Sequence, residues 1–153
     1  MIGDFEELVK KLPFLFEQLI ASPLRSRTGL GKLPQEGIYI FYENEQPIYV
    51  GRTNRLKERI LEHGRTSASH NSAPFAFNLA KKLAQEKCIN PNVARNKLEL
   101  NPEFKILFRE AKNRVAKMSI KFVPESDPLI QTVFEVYASL ELGTMEYNAF
   151  DNH

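Results

Sequence analysis

Between residues 37 and 63 the chain reads GIYIFYENEQPIYVGRTNRLKERILEH, and within that stretch its apolar period changes from strand-like to helical. Two short runs, 37–42 and 47–51, are rich in Ile, Val, Tyr and Phe, which suit a pleated, half-buried surface. The polar residues 43–46 between them are short enough to make the pair a β-hairpin. After Gly51, Leu56, Ile60 and Leu61 recur at helical spacing, so the hairpin feeds a helix expected to start at Asn54. Any fold for this chain has to place a hairpin and a helix in immediate succession.

Chemistry-bearing side chains decorate that unit. Tyr39 falls on the first strand and Tyr49 on the second. Arg59 and His63 stand at i and i+4, on one helix face. Phenols, a guanidinium and an imidazole near one hairpin suggest anion chemistry. Gly37-Ile38-Tyr39, Tyr49-Val50-Gly51, Asn54-Arg55-Leu56, Arg59 and His63 together resemble the signature of the GIY-YIG nuclease family, with Val50 a mild variant of its second triplet. The resemblance is close over the hairpin and first helix and looser over the C-terminal quarter.

Composition sets the outer bounds. A chain of 153 residues, 42% hydrophobic and 26% charged, is one globular domain by length, with enough residues for a real core. No apolar run approaches the ~20 residues of a membrane span, so no membrane partner is expected. The acidic, amphipathic start MIGDFEELVKK is unlike a secretory signal, and a lone cysteine, Cys88, fits a reducing compartment, so the expected location is cytoplasmic. With Cys88 and only His63, His70 and His153, the chain is poor in structural-zinc ligands. Net charge is +2, but it is unevenly spread. Arg25, Arg27 and Lys32 carry no acid between them, and Arg52 and Arg55 flank the start of the first helix, a pattern suited to a phosphate backbone. Taken singly, each of these is better explained by a solvated face.

In chain order, residues 4–21 read as an amphipathic helix with the stripe Phe5, Leu8, Leu12, Leu15, Phe16 and Leu19, kinked or split at Pro13. Residues 22–36 read as a basic loop. Residues 64–74 are polar and Ser-rich. Helices are expected over 75–87, 92–98 and 102–117, the last strongly basic. A third strand covers 118–124. A final helix runs from Pro128 to Leu142, with Leu129, Val133, Val136 and Leu140 as its buried stripe and Gly143 as its stop. The expected fold is α+β: a small three-stranded antiparallel sheet flanked by helices, with an extra N-terminal helix and a helical insertion. The expected organisation is one nuclease-like domain over 1–153. Within it, 1–35 hold the N-terminal helix and basic loop, 37–63 the signature, 64–117 the insertion, and 118–148 the third strand and metal-binding helix.

The resemblance implies metal-dependent hydrolysis of phosphodiester bonds, with nucleic acid, DNA first, as partner. Glu135 lies off the expected apolar stripe, on a face shared with Gln131, Ala138 and Ser139, and the two small side chains of Ala138 and Ser139 leave room for an ion. A hard cation such as Mg²⁺, or Mn²⁺ in its place, takes one or two carboxylates and keeps waters and phosphate oxygens. The family sets its metal glutamate on a helix after the third strand, ahead of a closing Tyr-Asn. Glu135 followed by Tyr147-Asn148 resembles that order, and Glu141 is the rival. Arg59 would bind the scissile phosphate through its forked donors. Tyr39, Tyr49 or His63 would take the proton from the attacking water, and the choice among them stays open. Gly37 and Gly51 are expected to serve the backbone, and Asn148 is structural in the resemblance.

Two rivals stand beside the nuclease. One is a non-catalytic nucleic-acid-binding module, and the other is a protein-interaction domain using the N-terminal helix. Geometry separates them: an enzyme needs Tyr39, Tyr49, Arg59 and Glu135 to reach one cleft, and a Glu135 on the opposite side of the sheet would count against it. Cutting a palindrome would further require a homodimer or successive cuts.

Overall fold

The structure, a computed structural model, describes residues 2–87 and 94–148. Among these the chain is α+β, with a four-stranded antiparallel sheet and six α-helices. The strands are β1 (Arg25–Ser26), β2 (Gly37–Glu43), β3 (Gln46–Thr53) and β4 (Ser119–Pro124), in the order β1-β4-β2-β3. The helices are α1 (Ile2–Ala21), α2 (Leu56–His63), α3 (Pro74–Glu86), α4 (Arg95–Leu100), α5 (Pro102–Ala116) and α6 (Pro128–Leu142). The packing forms two compact units. One is built from the chain up to Lys57 and from Ser119 onward, the other from Glu58–Met118.

In the first unit the expected hairpin is β2 and β3, joined through Asn44 and Glu45, both at positive φ (51° and 66°). That backbone matches the right-handed strand twist, and Asn tolerates it well. The third expected strand is β4, paired along β2 from Gly37↔Pro124 to Tyr42↔Ser119. Residues 22–36 are more than a loop: Arg25↔Ile120 and Ser26↔Ser119 add the two-residue strand β1, followed by a 3-10 turn at Arg27–Gly29. Helix α2 starts at Leu56, two residues later than expected, after the Thr53 hydroxyl accepts the Arg55 N–H at 3.0 Å.

One sheet face carries Ile38, Ile40, Val50 and Val123. It packs against Leu8, Leu12, Leu15 and Leu19 of α1 and Phe134 and Ala138 of α6. Full burial of each such leucine contributes about 1.5–3 kcal/mol. Helix α1 runs unbroken through Pro13, whose ring is exposed, so the carbonyl it leaves without an N–H partner lies on the solvent side. Phe5, expected in the stripe, is 57% exposed.

Helix α6 has the expected limits. The Asp127 carboxylate accepts the N–H groups of Leu129 and Ile130 at 2.8 and 3.3 Å, and Gly143 takes the left-handed cap at φ 71°. Its buried face is not the expected one. Leu129 and Leu140 are 62% and 64% exposed and Val136 is exposed as well, whereas Gln131, Phe134, Ala138 and Ser139 are buried. Apolar residues surround this helix, and the side with small residues is the one that lies close against the sheet.

The second unit holds α3, α4, α5 and most of α2. Phe77, Phe104 and Phe108 meet edge-on or tilted at 5.2–6.2 Å between centroids. Lys112, expected among the cations of a basic helix, is buried. Its Nζ donates to the carbonyls of Thr66 (2.6 Å) and Ala68 (2.8 Å) and lies 4.1 Å from the centroid of the Phe108 ring. Burial lowers its pKa, and Glu99 offsets part of that. His70 Nδ1 stands 2.8 Å from the Glu99 carboxylate, joining the polar loop to α4. Helix α4 begins at Arg95; the start expected at Asn92 lies outside the described residues, as do Cys88 and His153.

Candidate active site

In the first unit the site residues gather at the β3 edge. Tyr39 pairs with Gly51, and Phe41 with Tyr49. Strand alternation therefore sets Tyr39, Phe41 and Tyr49 on one sheet face, and their ring centroids lie 5.6–6.5 Å apart. Tyr39 is 1% exposed, and Tyr49 is half-buried. The Tyr39 ring leans across the sheet over Gly51. A Cβ on Gly51 would stand 2.1 Å from Tyr39 Cζ and 2.2 Å from its hydroxyl oxygen, so only glycine fits there. Gly37 has a different reason: its Cβ would meet the Val123 carbonyl oxygen at 2.3 Å, so the close approach of β4 requires glycine.

Arg52 follows Gly51 and points to the other face, with Val50 and the core under α6. There its Nε lies 3.7 Å from Glu135 Oε1, with side chains 41% and 20% exposed. Burial pushes the Glu135 carboxyl up to about 7, and the Arg52 guanidinium pulls it only part of the way back. Ala138 and Ser139, expected to leave room for an ion beside it, lie on the buried side of α6. Both are fully buried, and Ser139 Oγ donates to the Glu135 carbonyl at 2.7 Å. Tyr39 and Glu135 thus do not share an open cleft on one face. They approach consecutive residues of the edge strand, Gly51 and Arg52, from its two sides.

Asn148 closes the same edge one residue earlier. Its Nδ2 donates to the Val50 carbonyl at 2.6 Å, and its Oδ1 accepts the Val50 N–H at 3.2 Å and the Thr144 hydroxyl at 2.9 Å. A buried carboxamide stands where a further strand would pair.

In the second unit Arg59 Nη1 donates to Glu62 at 3.3 Å and to the carbonyls of Asn71 and Ser72 at 3.4 and 3.3 Å. His63, one turn on, is fully buried, with the Phe75 ring 6.5 Å away. Burial first, then the Arg59 charge, holds its pKa well below 6.5, so the imidazole is neutral at pH 7.

The basic residues divide. Arg25 is clamped in β1, donating to the Leu30 carbonyl at 3.2 Å and lying 5.5 Å from the Phe122 ring centroid. Arg27 is half-buried, and Lys32, Arg52 and Arg55 are exposed. Sequence reasoning placed Arg52 on a phosphate and missed its carboxylate partner. The signal was there: two residues beyond the core residue Val50, alternation puts position 52 under the same helix. Among the described residues no three His, Cys, Asp or Glu side chains gather into a metal cage. Glu135 stands as a single carboxylate, which fits Mg²⁺ or Mn²⁺ held with waters and phosphate oxygens.

Among the described residues no helix is long and apolar enough to cross a membrane. Comparison with curated proteins and with solved structures gives no match. The GIY-YIG domain is a nuclease family, generally of endonucleases that depend on a divalent metal. Residues 35–100, from just before β2 to the end of α4, match the family model of the GIY-YIG catalytic domain.

Proposed function

We propose that this chain is a divalent-metal-dependent endonuclease that hydrolyses DNA phosphodiester bonds. The observation that carries the reading is Glu135: a carboxylate at the β3 edge that burial raises to about 7, next to a strand matched to the nuclease signature. A buried carboxylate that gives up its proton reluctantly gains most from a cation. Glu135 would hold Mg²⁺ or Mn²⁺. Bound there, the ion would supply Lewis-acid stabilisation of charge on the scissile phosphate.

Each protein group has a role in this reading. Arg59 donates to the phosphate, and one such donor aimed at developing charge contributes about 3 kcal/mol. To do so it must exchange its present Glu62 and carbonyl partners. Tyr39 or Tyr49 takes the proton of the attacking water. A free phenol has a pKa of about 10, so it accepts a proton at neutral pH only with positive charge nearby. His63, buried and neutral, is shielded from bulk water. Arg27, Lys32, Arg52 and Arg55 contact the backbone phosphates, with Arg25 fixing the loop that presents Arg27. Gly37, Gly51 and Asn148 keep the strands and the Tyr39 ring in register.

A non-catalytic nucleic-acid-binding module is the second reading: the sheet lies between the tyrosine rings and α6, so Tyr39 and Glu135 do not meet the one-cleft requirement. The enzyme reading requires the scissile phosphate to lie at the β3 edge itself, where the two faces meet. Supercoiled plasmid separates the two. The enzyme nicks or linearises it with Mg²⁺ and not with EDTA. Retardation in a low-salt gel without any cleavage, across Mg²⁺ and Mn²⁺, would select the module.

A further inference from the structure

Helix α5 presents a cationic ridge that the candidate site does not use. Its buried side is Phe104, Leu107, Phe108, Ala111, Lys112 and Val115. On the exposed side Lys105, Arg109, Asn113 and the C-cap Lys117 stand four residues apart, so they form one inclined row. Four residues rise about 6 Å, and Lys105 to Lys117 spans about 18 Å. No acid lies in that row: Glu103 and Glu110 fall farther round the exposed arc, toward Arg114. Among the described residues Lys105, Arg109 and Lys117 form no ion pair. An ordinary solvated helix intersperses its charges and pairs them at i, i+4. Here Lys105, Arg109 and Lys117 form a row free of acids, while Glu103 and Glu110 lie with Arg114 farther round the exposed arc.

The ridge is also held rigid. The phenylalanine cluster fixes α5 from below, and Lys112 ties it to the loop at Thr66 and Ala68. A fixed row of unpaired cations with an amide between them suits a regular polyanion. It offers no apolar pocket and no concave site for a small anion.

We propose that the Lys105–Arg109–Asn113–Lys117 ridge of α5 binds the phosphate backbone of duplex DNA, independently of sequence. This rests on the nuclease reading for the choice of polyanion and adds a docking surface to it. Neutralising phosphates releases counterions, so the ridge must appear in the salt dependence of binding. Each phosphate contact contributes about 0.9 to the slope of log K against log salt.

The test is fluorescence anisotropy with a labelled duplex, without divalent metal, from 50 to 200 mM salt. It compares wild type, the triple variant Lys105→Gln, Arg109→Gln, Lys117→Gln, and a control carrying Lys10→Gln and Lys11→Gln. All three substituted residues of the triple variant are exposed, so its thermal melt should match wild type. The expected result is a slope shallower by about 2.7 and weaker binding at low salt for the triple variant only. Cleavage at saturating DNA should persist. A triple variant with wild-type slope and affinity overturns the proposal, as does a wild type that binds no duplex. The nuclease reading is tested separately: slope loss without cleavage by any variant would leave the ridge standing and remove the enzyme.

Discussion

The phenol of Tyr39 lies across Gly51, close enough that a methyl group at 51 would stand 2.1 Å from Cζ. Strand pairing puts the two residues opposite each other, and the missing side chain lets the ring reach the edge strand. The glycine of the second signature triplet is therefore explained by the tyrosine of the first.

Gly51→Ala should force the Tyr39 ring aside. Overpacking of this kind costs about 1–3 kcal/mol, to be read as a lower urea midpoint. It should also slow cleavage by displacing the phenol. An alanine variant with wild-type stability and rate would mean that the ring is free to move.

Asn148→Ala should leave both Val50 backbone groups without the carboxamide that pairs them. A buried group left unsatisfied costs about 1–3 kcal/mol. Hydrogen exchange at the Val50 amide should accelerate locally. Asn148→Asp should do worse than alanine, because it sets a carboxylate oxygen against the Val50 carbonyl. Unchanged exchange at Val50 would contradict the edge-closing role.

Much of the fold is legible in residues 37–63 and 127–143, because the information there is local. Alternation and β-branched content give the hairpin, and Pro128 and Gly143 bracket α6. What is not legible is set by distant contacts. Leu129, Val136 and Leu140 carry the spacing of a buried stripe, yet the helix turns Ala138 and Ser139 to the sheet, since small side chains permit the closest approach. Strand β1, at two residues, is too short for any period. Alternation puts Arg52 on the α6 side of the sheet, but that Glu135 is what it meets there depends on how α6 packs, which no local pattern encodes.

Stability should carry two opposed pH signatures. Folded Glu135 titrates at about 7, above the 4.5 of a free glutamate, so the folded state keeps a proton the unfolded chain has lost. Its contribution is full below 4.5 and falls away as pH rises through about 7. His63 runs the other way: held below 6.5, it contributes above that value and loses its contribution on acidification. Urea melts of wild type and Glu135→Gln, taken at each pH, isolate the first. Wild type should lose stability relative to the variant as pH rises toward 7, then level off. A flat difference would refute the buried-carboxyl assignment.

Lys112→Met should destabilise the second unit, although it removes a charge from a basic helix. It strips the donor from the Thr66 and Ala68 carbonyls, costing about 1–3 kcal/mol by urea melt. DNA affinity should be unchanged at temperatures where the variant is folded. A variant as stable as wild type would show that those carbonyls find water instead.

The most direct test of the account is Glu135 itself, measured by Mn²⁺ titration and by single-turnover cleavage of a labelled duplex. Wild-type metal affinity should rise about tenfold per pH unit below 7, because the ion competes with the carboxyl proton, and then level off. Glu135→Gln should lose that affinity and cut about 10³-fold more slowly, the several kcal/mol expected of a lost metal carboxylate. A glutamine variant that binds Mn²⁺ and cleaves as wild type does would contradict the assignment of Glu135 at the β3 edge.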